Sequence, residues 1–256
     1  MIIDTHCHLY LEEFNNDRSE VIKQAQNIGV QKFYLPNIDS TSIQAMLQME
    51  KEYPNICFPM MGLHPCSVNE NVENELSLIH EWLQKRIFCA IGEIGLDFYW
   101  DVTFKQQQLD AFKQQMQWAL QYNMPVVIHT RNAMQEAIDC VKPFAQQGLR
   151  GIFHCFSGNL NEANQIIDMN FLLGIGGVIT FKNAGLDVVL KSIDLKNIVV
   201  ETDAPYLAPV PFRGKRNESS YLKYIVEKIA LIKEIAVQEV ENITTQNAAN
   251  IFLIQS

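Results

Sequence analysis

Short apolar runs alternate with longer amphipathic stretches along the whole 256-residue chain. Eight of the runs have the length and apolar composition of buried strands: 1–5, 32–37, 57–63, 89–96, 125–129, 151–156, 171–179 and 198–202. The stretches between and after them repeat apolar residues with the period of a helix: 17–28, 41–52, 74–85, 104–122, 134–145, 161–169, 184–192, 219–234 and 237–252. Gly29 is placed to end the first helix, and Ser219 to cap the eighth.

This alternation predicts the fold. Strands that alternate with helices form a parallel sheet, and strands that are apolar throughout are covered on both faces. We therefore predict an α/β fold, a (β/α)8 TIM barrel, formed by residues 1–256 as a single hydrolase domain. A doubly wound open sheet is the alternative, but the sequence lacks the glycine-rich phosphate loop that usually follows the first strand of that fold.

Composition and charge narrow the class of protein. Hydrophobic residues make up 48% of the chain, and no apolar run approaches the ~20 residues of a membrane helix. Cleavage of a leader would remove candidate site residues that begin near residue 2, so we expect a cytoplasmic protein with no membrane partner. The six cysteines form no CxxC pair, which predicts reduced and mostly buried thiols. A net charge of −9 argues against a protein that coats duplex DNA.

Two histidines follow the first predicted strand. Alternate residues of a strand point to the same face, so His6 and His8 should point together and Cys7 should point away. Two converging imidazoles are half of a transition-metal site. Two solvated histidines at a strand end are the simpler interpretation, so the metal hypothesis needs further ligands.

A parallel barrel would supply those ligands, because functional residues collect at the carboxyl ends of its strands. Five of the six histidines lie at predicted strand ends, and His80, in a helix, is expected to be a surface or packing residue. Glu93 lies in an apolar run between glycines, where an unpaired charge would be costly. Taken alone, a buried histidine or an aspartate in a turn is ordinary. Together, four histidines and two carboxylates are the composition of a two-metal hydrolase: His6, His8, His129, His154, Glu93 and Asp203.

These residues lie in motifs that resemble those of the TatD-family metal-dependent deoxyribonucleases, a branch of the amidohydrolase-like TIM barrels. The motifs are DTHCH from Asp4, GLHP from Gly62, GEIGLD from Gly92, VIHTR from Val127, HCFSG from His154, ETDAPYL from Glu201 and RGKRNE from Arg213. The resemblance covers residues 2 to about 252. The chain departs from it at Asn132, Phe212 and Ser219, where the family often has Asp, His and Pro.

The resemblance implies how two divalent ions are held. His6, His8 and Asp203 would bind one ion, and His129 and His154 the other, with Glu93 bridging both. Imidazole and carboxylate together suit Zn²⁺, Mn²⁺, Fe²⁺, Co²⁺ or Ni²⁺ better than Mg²⁺. The sequence therefore predicts two divalent metal ions as cofactors, without deciding among Zn, Mn, Co, Ni or Mg.

The expected reaction is attack of a metal-activated water on a phosphodiester bond. Asp203 is the candidate general base, although it could serve only as a ligand. Two carboxylates and two divalent ions give a positive centre, which favours an anionic substrate. His64, Arg131 and Arg213 are the candidate phosphate contacts. Lys215 and Arg216 would extend that patch or be ordinary solvated loop charges.

The resemblance implies a 3′-to-5′ exodeoxyribonuclease that acts on DNA, either single-stranded or at 3′ ends. The same centre could instead hydrolyse an ester, amide or lactone bond, or an aminoacyl-tRNA, because one barrel supports many reactions. Relatives of that kind often bridge the ions with a carboxylated lysine, whereas the fourth strand here carries Glu93 and no lysine. A metal-dependent binding protein without catalysis is the remaining alternative.

Overall fold

Parallel strands form the centre of the computed structural model, which describes residues 1–252. Within that range the strands are β1 Ile2–Asp4, β2 Val30–Leu35, β3 Cys57–Pro59, β4 Ile91–Asp97, β5 Val126–Arg131, β6 Gly151–Phe153, β7 Leu172–Ile175 and β8 Ile198–Val200. Hydrogen bonds join β1 to β3 in order and, separately, β4 to β8 in order, and every pair is parallel.

Two backbone seams close these sheets into a barrel. Beyond β3, the backbone of Met61 bonds twice to the β4 side, at 3.2 and 3.1 Å. Between β8 and β1, Thr5 N donates to Val200 O at 3.2 Å, and Cys7 forms an isolated parallel bridge with Ala204. The seams confirm the predicted (β/α)8 TIM barrel over the open sheet.

Helices follow the strands in alternation within residues 1–252. They are α1 Arg18–Asn27, α2 Ile43–Glu52, α3 Val72–Lys85, α4 Lys105–Tyr122, α5 Met134–Ala145, α6 Leu160–Asp168, α7 Leu186–Ser192, α8 Leu222–Lys233 and α9 Val237–Ile251. None of the helices in this part of the chain is long and apolar enough to cross a membrane. His80 is half-buried in α3 and stacks on Trp118 with ring centres 4.8 Å apart, which confirms its packing role.

Several strands are shorter than predicted. Strands β3, β6 and β7 end at Pro59, Phe153 and Ile175, before the ends of the predicted runs 57–63, 151–156 and 171–179. Residues 60–63 are nevertheless buried beyond the end of β3, with Met61 bonded across the seam to the β4 side, and Gly177–Thr180 forms a 3₁₀ helix. An apolar run reports burial rather than strand pairing, so it overestimates strand length at a barrel mouth that is itself covered.

The prediction that Ser219 caps the eighth helix is wrong. Ser219 is buried, and its hydroxyl donates to Asp4 Oδ2 at 2.6 Å. Helix α8 begins later, at Leu222, without a side-chain cap. Thr202 also donates to the Asp4 carboxylate, from N at 3.0 Å and from Oγ1 at 2.7 Å. Burial nevertheless raises the pKa of Asp4 to about 7. The hydroxyl is needed to satisfy this buried carboxyl group, which fastens β1 to β8.

The cysteines agree with the prediction of unpaired thiols. All six lie within the described residues and none is in a disulfide. Cys7 and Cys57 are buried, three others are partly buried, and Cys66 is exposed. The Cys7 thiol lies 3.8 Å from Tyr34 O, so it points away from the neighbouring histidines as expected.

Candidate metal centre

The strands bring six predicted ligands together at one end of the barrel. His6 and His8 lie just beyond β1, where the bridge from Cys7 to Ala204 keeps the chain extended. The remaining ligands come from β4, the end of β5, and the segments directly after β6 and β8: Glu93, His129, His154 and Asp203. This is the end at which a parallel barrel places its reactive groups.

One oxygen of Glu93 faces the first group of ligands. Glu93 Oε2 lies 3.1 Å from His6 Nε2 and 3.6 Å from His8 Nε2. Asp203 Oδ1 lies 3.6 and 3.5 Å from the same two nitrogens. The two nitrogens are themselves 3.3 Å apart. The donor atoms of His6, His8 and Asp203 lie within 4.8 Å of one another in a region that is almost fully buried, and Glu93 approaches this group through His6.

The other oxygen of Glu93 faces the second group. Glu93 Oε1 lies 2.9 Å from His154 Nε2 and 3.0 Å from His129 Nδ1, and these two nitrogens are 3.4 Å apart. Gly95 allows β4 to approach β5 here, since a Cβ at that position would collide with the backbone of His129. Each carboxylate oxygen of Glu93 thus serves a different pair of histidines.

The donor set fits divalent ions. Tyr10 Oη donates to Pro36 O at 2.6 Å, so it accepts from His8 Nδ1, 2.9 Å away, and the Nε2 lone pair of neutral His8 faces the centre. His129 Nε2 donates to Asp97 Oδ2 at 3.0 Å, so its Nδ1 lone pair faces inward. The inward-facing nitrogens of His8 and His129 each lie close to a second imidazole nitrogen, of His6 at 3.3 Å and of His154 at 3.4 Å, so a cation between each pair would be bound by both nitrogens. Partners on the outer ring nitrogens are typical of metal-bound histidines.

Electrostatics keeps the ligand carboxylates ionised. Burial alone would raise the pKa of Glu93, but the neighbouring His154, His64 and His6 hold it well below its usual value. Burial likewise opposes ionisation of Asp203, and the neighbouring His8, His154 and His6 hold its pKa below its usual value. The centre therefore carries fixed negative charge, which a metal ion can neutralise.

Comparison with known proteins identifies the family. The sequence model of the family described as TatD related DNase matches residues 3–253. The chain belongs to this TatD family. It is 39% identical over 255 residues to the "Uncharacterized metal-dependent hydrolase YabD" of Bacillus subtilis (strain 168), covering 99% of this chain and 100% of that one. It is 29% identical over 257 residues to the "3'-5' ssDNA/RNA exonuclease TatD" of Pectobacterium carotovorum, covering 98% and 99%.

A solved structure agrees with the fold. The crystal structure of YJJV, a TatD homologue from Escherichia coli K12, superimposes with a TM-score of 0.93 at 24% sequence identity, covering 99% of this chain and 98% of that one. As a TatD-family member, the chain is a metal-dependent hydrolase of the class that acts on ester bonds. The clustered His, Glu and Asp side chains of this TatD-family protein are groups that could hold a divalent metal ion.

Three supporting residues of the TatD-family site have no predicted role. Tyr10 and Asp97 hold the outer nitrogens of His8 and His129, as described above. Glu201 Oε1 lies 3.4 Å from His154 Nδ1, within ion-pair distance but not aligned for a hydrogen bond, and accepts from Cys155 N. The available signal was the one used for Glu93: Asp97 and Glu201 are carboxylates that follow apolar runs at strand ends.

These carboxylates change the charge of the centre. The prediction of a positive site counted only Glu93 and Asp203 against two divalent ions. With Asp97 and Glu201 included, four carboxylates offset the four positive charges of two such ions. The predicted net positive charge omitted these two carboxylates. With them the centre and two bound ions would be neutral, so attraction for an anion has to come from basic side chains around the mouth of the barrel.

His64 belongs to the centre but differs from the ligands. Its Nε2 lies 3.3 Å from Glu93 Oε1, so distance alone would group it with the second set of ligands. However, His64 Nδ1 accepts a hydrogen bond from Cys66 N at 3.0 Å. A neutral imidazole that accepts at Nδ1 carries its proton on Nε2. His64 therefore presents a donor rather than a lone pair, which suits the predicted contact with an anionic oxygen.

The predicted arginines lie outside these clusters. The guanidinium of Arg131 stacks on Tyr99, 3.8 Å from the ring centre, and that of Arg213 lies 4.4 Å from the ring centre of Phe181. Arg216 instead forms a bidentate ion pair with Asp17, at 2.9 and 2.6 Å. Arg216 thus joins the loop after β8 to the start of α1, and this ion pair keeps it out of the predicted phosphate patch.

Two positions that differ from the usual residues of the family, Phe212 and Asn132, lie in different surroundings. Phe212 packs into an aromatic cluster, stacked on Tyr221 with ring centres 4.1 Å apart, while Lys215 is exposed beside it. Asn132 follows Arg131 in a left-handed conformation, φ 51°. Asparagine is among the residues that tolerate this conformation best, which gives a local reason for its presence.

Proposed function

We propose that this protein removes nucleotides from the 3′ end of single-stranded DNA by hydrolysing phosphodiester bonds. The observation that carries the proposal is the position of Glu93, whose Oε2 lies nearest His6 while its Oε1 lies nearest His129 and His154. A bridging carboxylate of this kind suits two neighbouring divalent ions, the arrangement common among enzymes that cleave phosphate esters. The relative named as a 3'-5' ssDNA/RNA exonuclease supports the choice of substrate.

In this proposal the ligands form two sets. One ion would be held by His6, His8 and Asp203, and the other by His129 and His154, with Glu93 available to both. When bound, the divalent ions supply the Lewis acidity that activates water and offsets charge on the phosphoryl group. The residues of the chain fix the positions of the ions, bind the substrate and accept the proton.

Asp203 is the proposed proton acceptor. Its side chain is 12% exposed, compared with 3% for Glu93, so it is the ligand carboxylate more accessible to solvent. Its Oδ1 is the oxygen that lies nearest the two imidazoles, at 3.6 Å from His6 Nε2 and 3.5 Å from His8 Nε2. The second oxygen is thus available to take a proton from the attacking water.

His64 is proposed to donate a hydrogen bond to a phosphoryl oxygen of the substrate. Its Nε2 lies 3.3 Å from the Glu93 oxygen that also faces His129 and His154, so His64 borders the second set of ligands. A donor at this place favours the developing negative charge of the transition state. Arg131 and Arg213 would contact phosphates farther along the strand.

Replacement of His64 by Gln should lower kcat for DNA hydrolysis by about tenfold to a hundredfold while leaving the metal content unchanged, because one donor is lost and no ligand. Metal content after dialysis and single-turnover rates at saturating DNA measure the two effects. Replacement of His80 by Gln is the matched control, since His80 packs on Trp118 away from the strand ends. Loss of one metal equivalent in the His64 variant would make His64 a ligand instead.

A substrate panel tests the proposed function. The metal-loaded protein is mixed in parallel with 5′-labelled single-stranded DNA, the same strand in a blunt duplex, an aryl ester, a lactone and an aminoacyl-tRNA. We expect a ladder that shortens from the 3′ end of the single strand, and no ladder when the terminal 3′ linkages are phosphorothioates. Hydrolysis of the ester, the lactone or the aminoacyl bond without any cleavage of DNA would contradict the proposal and assign the centre to that substrate.

A further inference from the structure

Two neighbouring aromatic rings are exposed at the mouth of the barrel. Tyr99 is 52% exposed and Trp100 is 69% exposed, directly after β4. Their rings meet edge to face with centres 4.9 Å apart. Large aromatic side chains are usually buried, so two together on the surface indicate a contact with something else.

Arg131 adds positive charge to these rings. Its guanidinium lies 3.8 Å from the ring centre of Tyr99 and 4.9 Å from that of Trp100. Among the described residues, the Lys and Arg ion pairs involve other side chains, and Arg131 has no carboxylate within 4.0 Å. Tyr99, Trp100 and Arg131, here called the aromatic shelf, thus combine flat apolar faces with an uncompensated cation.

The shelf is fastened to the metal centre through one carboxylate. Asp97 Oδ1 accepts from Tyr99 N at 2.9 Å and from Trp100 N at 3.4 Å. The other oxygen of Asp97 accepts from His129 Nε2 at 3.0 Å. The same side chain therefore sets the position of a proposed metal ligand and of the shelf, and Arg131 follows His129 by two residues on β5.

We propose that the aromatic shelf is a subsite for an unpaired nucleobase of the substrate strand. Trp100 supplies the stacking face, and Arg131 binds the phosphate attached to that nucleotide. Base stacking on aromatic side chains accepts any base sequence and requires that the base be unpaired. The shelf would thus provide selectivity for single strands without sequence recognition. This inference rests on the proposed function and names how that site would select its substrate.

The positive charge at the shelf favours a nucleotide, rather than an apolar protein segment, as its occupant. The centre is neutral when four carboxylates oppose two divalent ions, so the phosphates need cations at the mouth of the barrel, and Arg131 is one. Asp101 is the nearby acidic residue on the same loop, and its carboxylate already accepts from Thr103 N at 2.8 Å. Arginine above aromatic rings is also a common way to bind both a base and its phosphate.

Direct binding measurements test the shelf separately from catalysis. Fluorescence anisotropy follows the metal-loaded protein binding a labelled single-stranded oligonucleotide with a phosphorothioate backbone, and an abasic strand of the same length and backbone. Trp100→Ala should weaken binding of the strand with bases by about tenfold or more, and binding of the abasic strand by less than about threefold. Trp100→Phe, which keeps a stacking face, should restore most of the affinity.

Two further variants complete the test. Arg131→Ala should weaken binding of both strands, because it removes a phosphate contact. Ile87→Ala, which also removes an exposed apolar side chain (87% exposed), should leave both affinities unchanged. Thermal melting of every variant verifies that the fold is intact.

The outcomes separate this inference from the proposed function. Suppose that the unaltered protein degrades single-stranded DNA and that Trp100→Ala binds both strands as tightly as the unaltered protein. The shelf is then not a base subsite, and the proposed function stands. If the unaltered protein neither binds nor degrades any oligonucleotide, both proposals fail. Equal weakening of both strands by Trp100→Ala would also overturn the stacking role.

Discussion

Replacement of Glu93 by Gln should abolish hydrolysis, lowering kcat/KM at least about a thousandfold, while the barrel remains folded. The loss corresponds to several kcal/mol of transition-state stabilisation, the scale expected for a misplaced metal centre. Each oxygen of Glu93 faces a different histidine pair. The amide of Gln has one oxygen and an NH₂ group that cannot bind a cation, so one of the two ions loses its shared ligand. Gln has nearly the same shape, so packing around the strand is retained.

Metal content, thermal melting and kinetics measure these three consequences in the same preparation. Glu227→Gln is the matched control: Glu227 is exposed on α8 and forms no ion pair among the described residues, so that variant should behave as the unaltered protein. Wild-type activity of Glu93→Gln in buffer with excess metal would contradict the bridging role. Unfolding of Glu93→Gln would move the test to Glu93→Asp, which retains the charge and shortens the reach.

Replacement of Asp203 by Asn should lower kcat by about a hundredfold to ten-thousandfold, the range expected for loss of a general base. The amide of the variant lacks the carboxylate that accepts the proton, while its carbonyl oxygen could still approach His6 and His8. Excess metal should therefore restore occupancy of the site without restoring the rate.

Rates measured over a wide range of metal concentration separate the two roles of Asp203. A variant whose kcat returns to the unaltered value at high metal would show that Asp203 is a ligand only. Asp187→Asn, a change of the same type at an exposed position on α7, is the control and should be without effect.

The barrel and the ligand clusters could be predicted because both depend on local patterns. Parallel strands with two apolar faces indicate a sheet that is covered on both sides. When such a sheet closes into a barrel, the carboxyl ends of all its strands lie at the same end. Glu93 was recognisable because a carboxylate within an apolar run needs a partner. His6 and His8 followed from the period of a strand, and their nitrogens are indeed 3.3 Å apart.

The supporting interactions could not be predicted, since they depend on contacts between distant segments. Ser219 donates to Asp4 across 215 positions, and Arg216 pairs with Asp17 across 199. Local sequence shows only a hydroxyl before a helix and a charge in a loop. The hydrogen-bonding state of His64 is of the same kind, because it depends on how the chain turns at Cys66.

The negative charge of the site was underestimated for the same reason. Asp97 and Glu201 become neighbours of the centre only when the carboxyl ends of β4, β5, β6 and β8 meet at the mouth of the barrel. Sequence identifies carboxylates at strand ends, but it does not distinguish those that bind metal from those that hold the histidines. The exposed position of Trp100 is likewise a property of the folded loop.

The most direct test of the account is degradation of 5′-labelled single-stranded DNA by metal-stripped protein, with Mg²⁺, Mn²⁺, Co²⁺, Ni²⁺ or Zn²⁺ added back singly and bound metal counted in the same samples. The account predicts stepwise loss of 3′ nucleotides that begins only when metal is restored, reaches its maximum near two equivalents and is absent in Asp203→Asn. Protein that holds two ions and cleaves no DNA with any of these metals would contradict it.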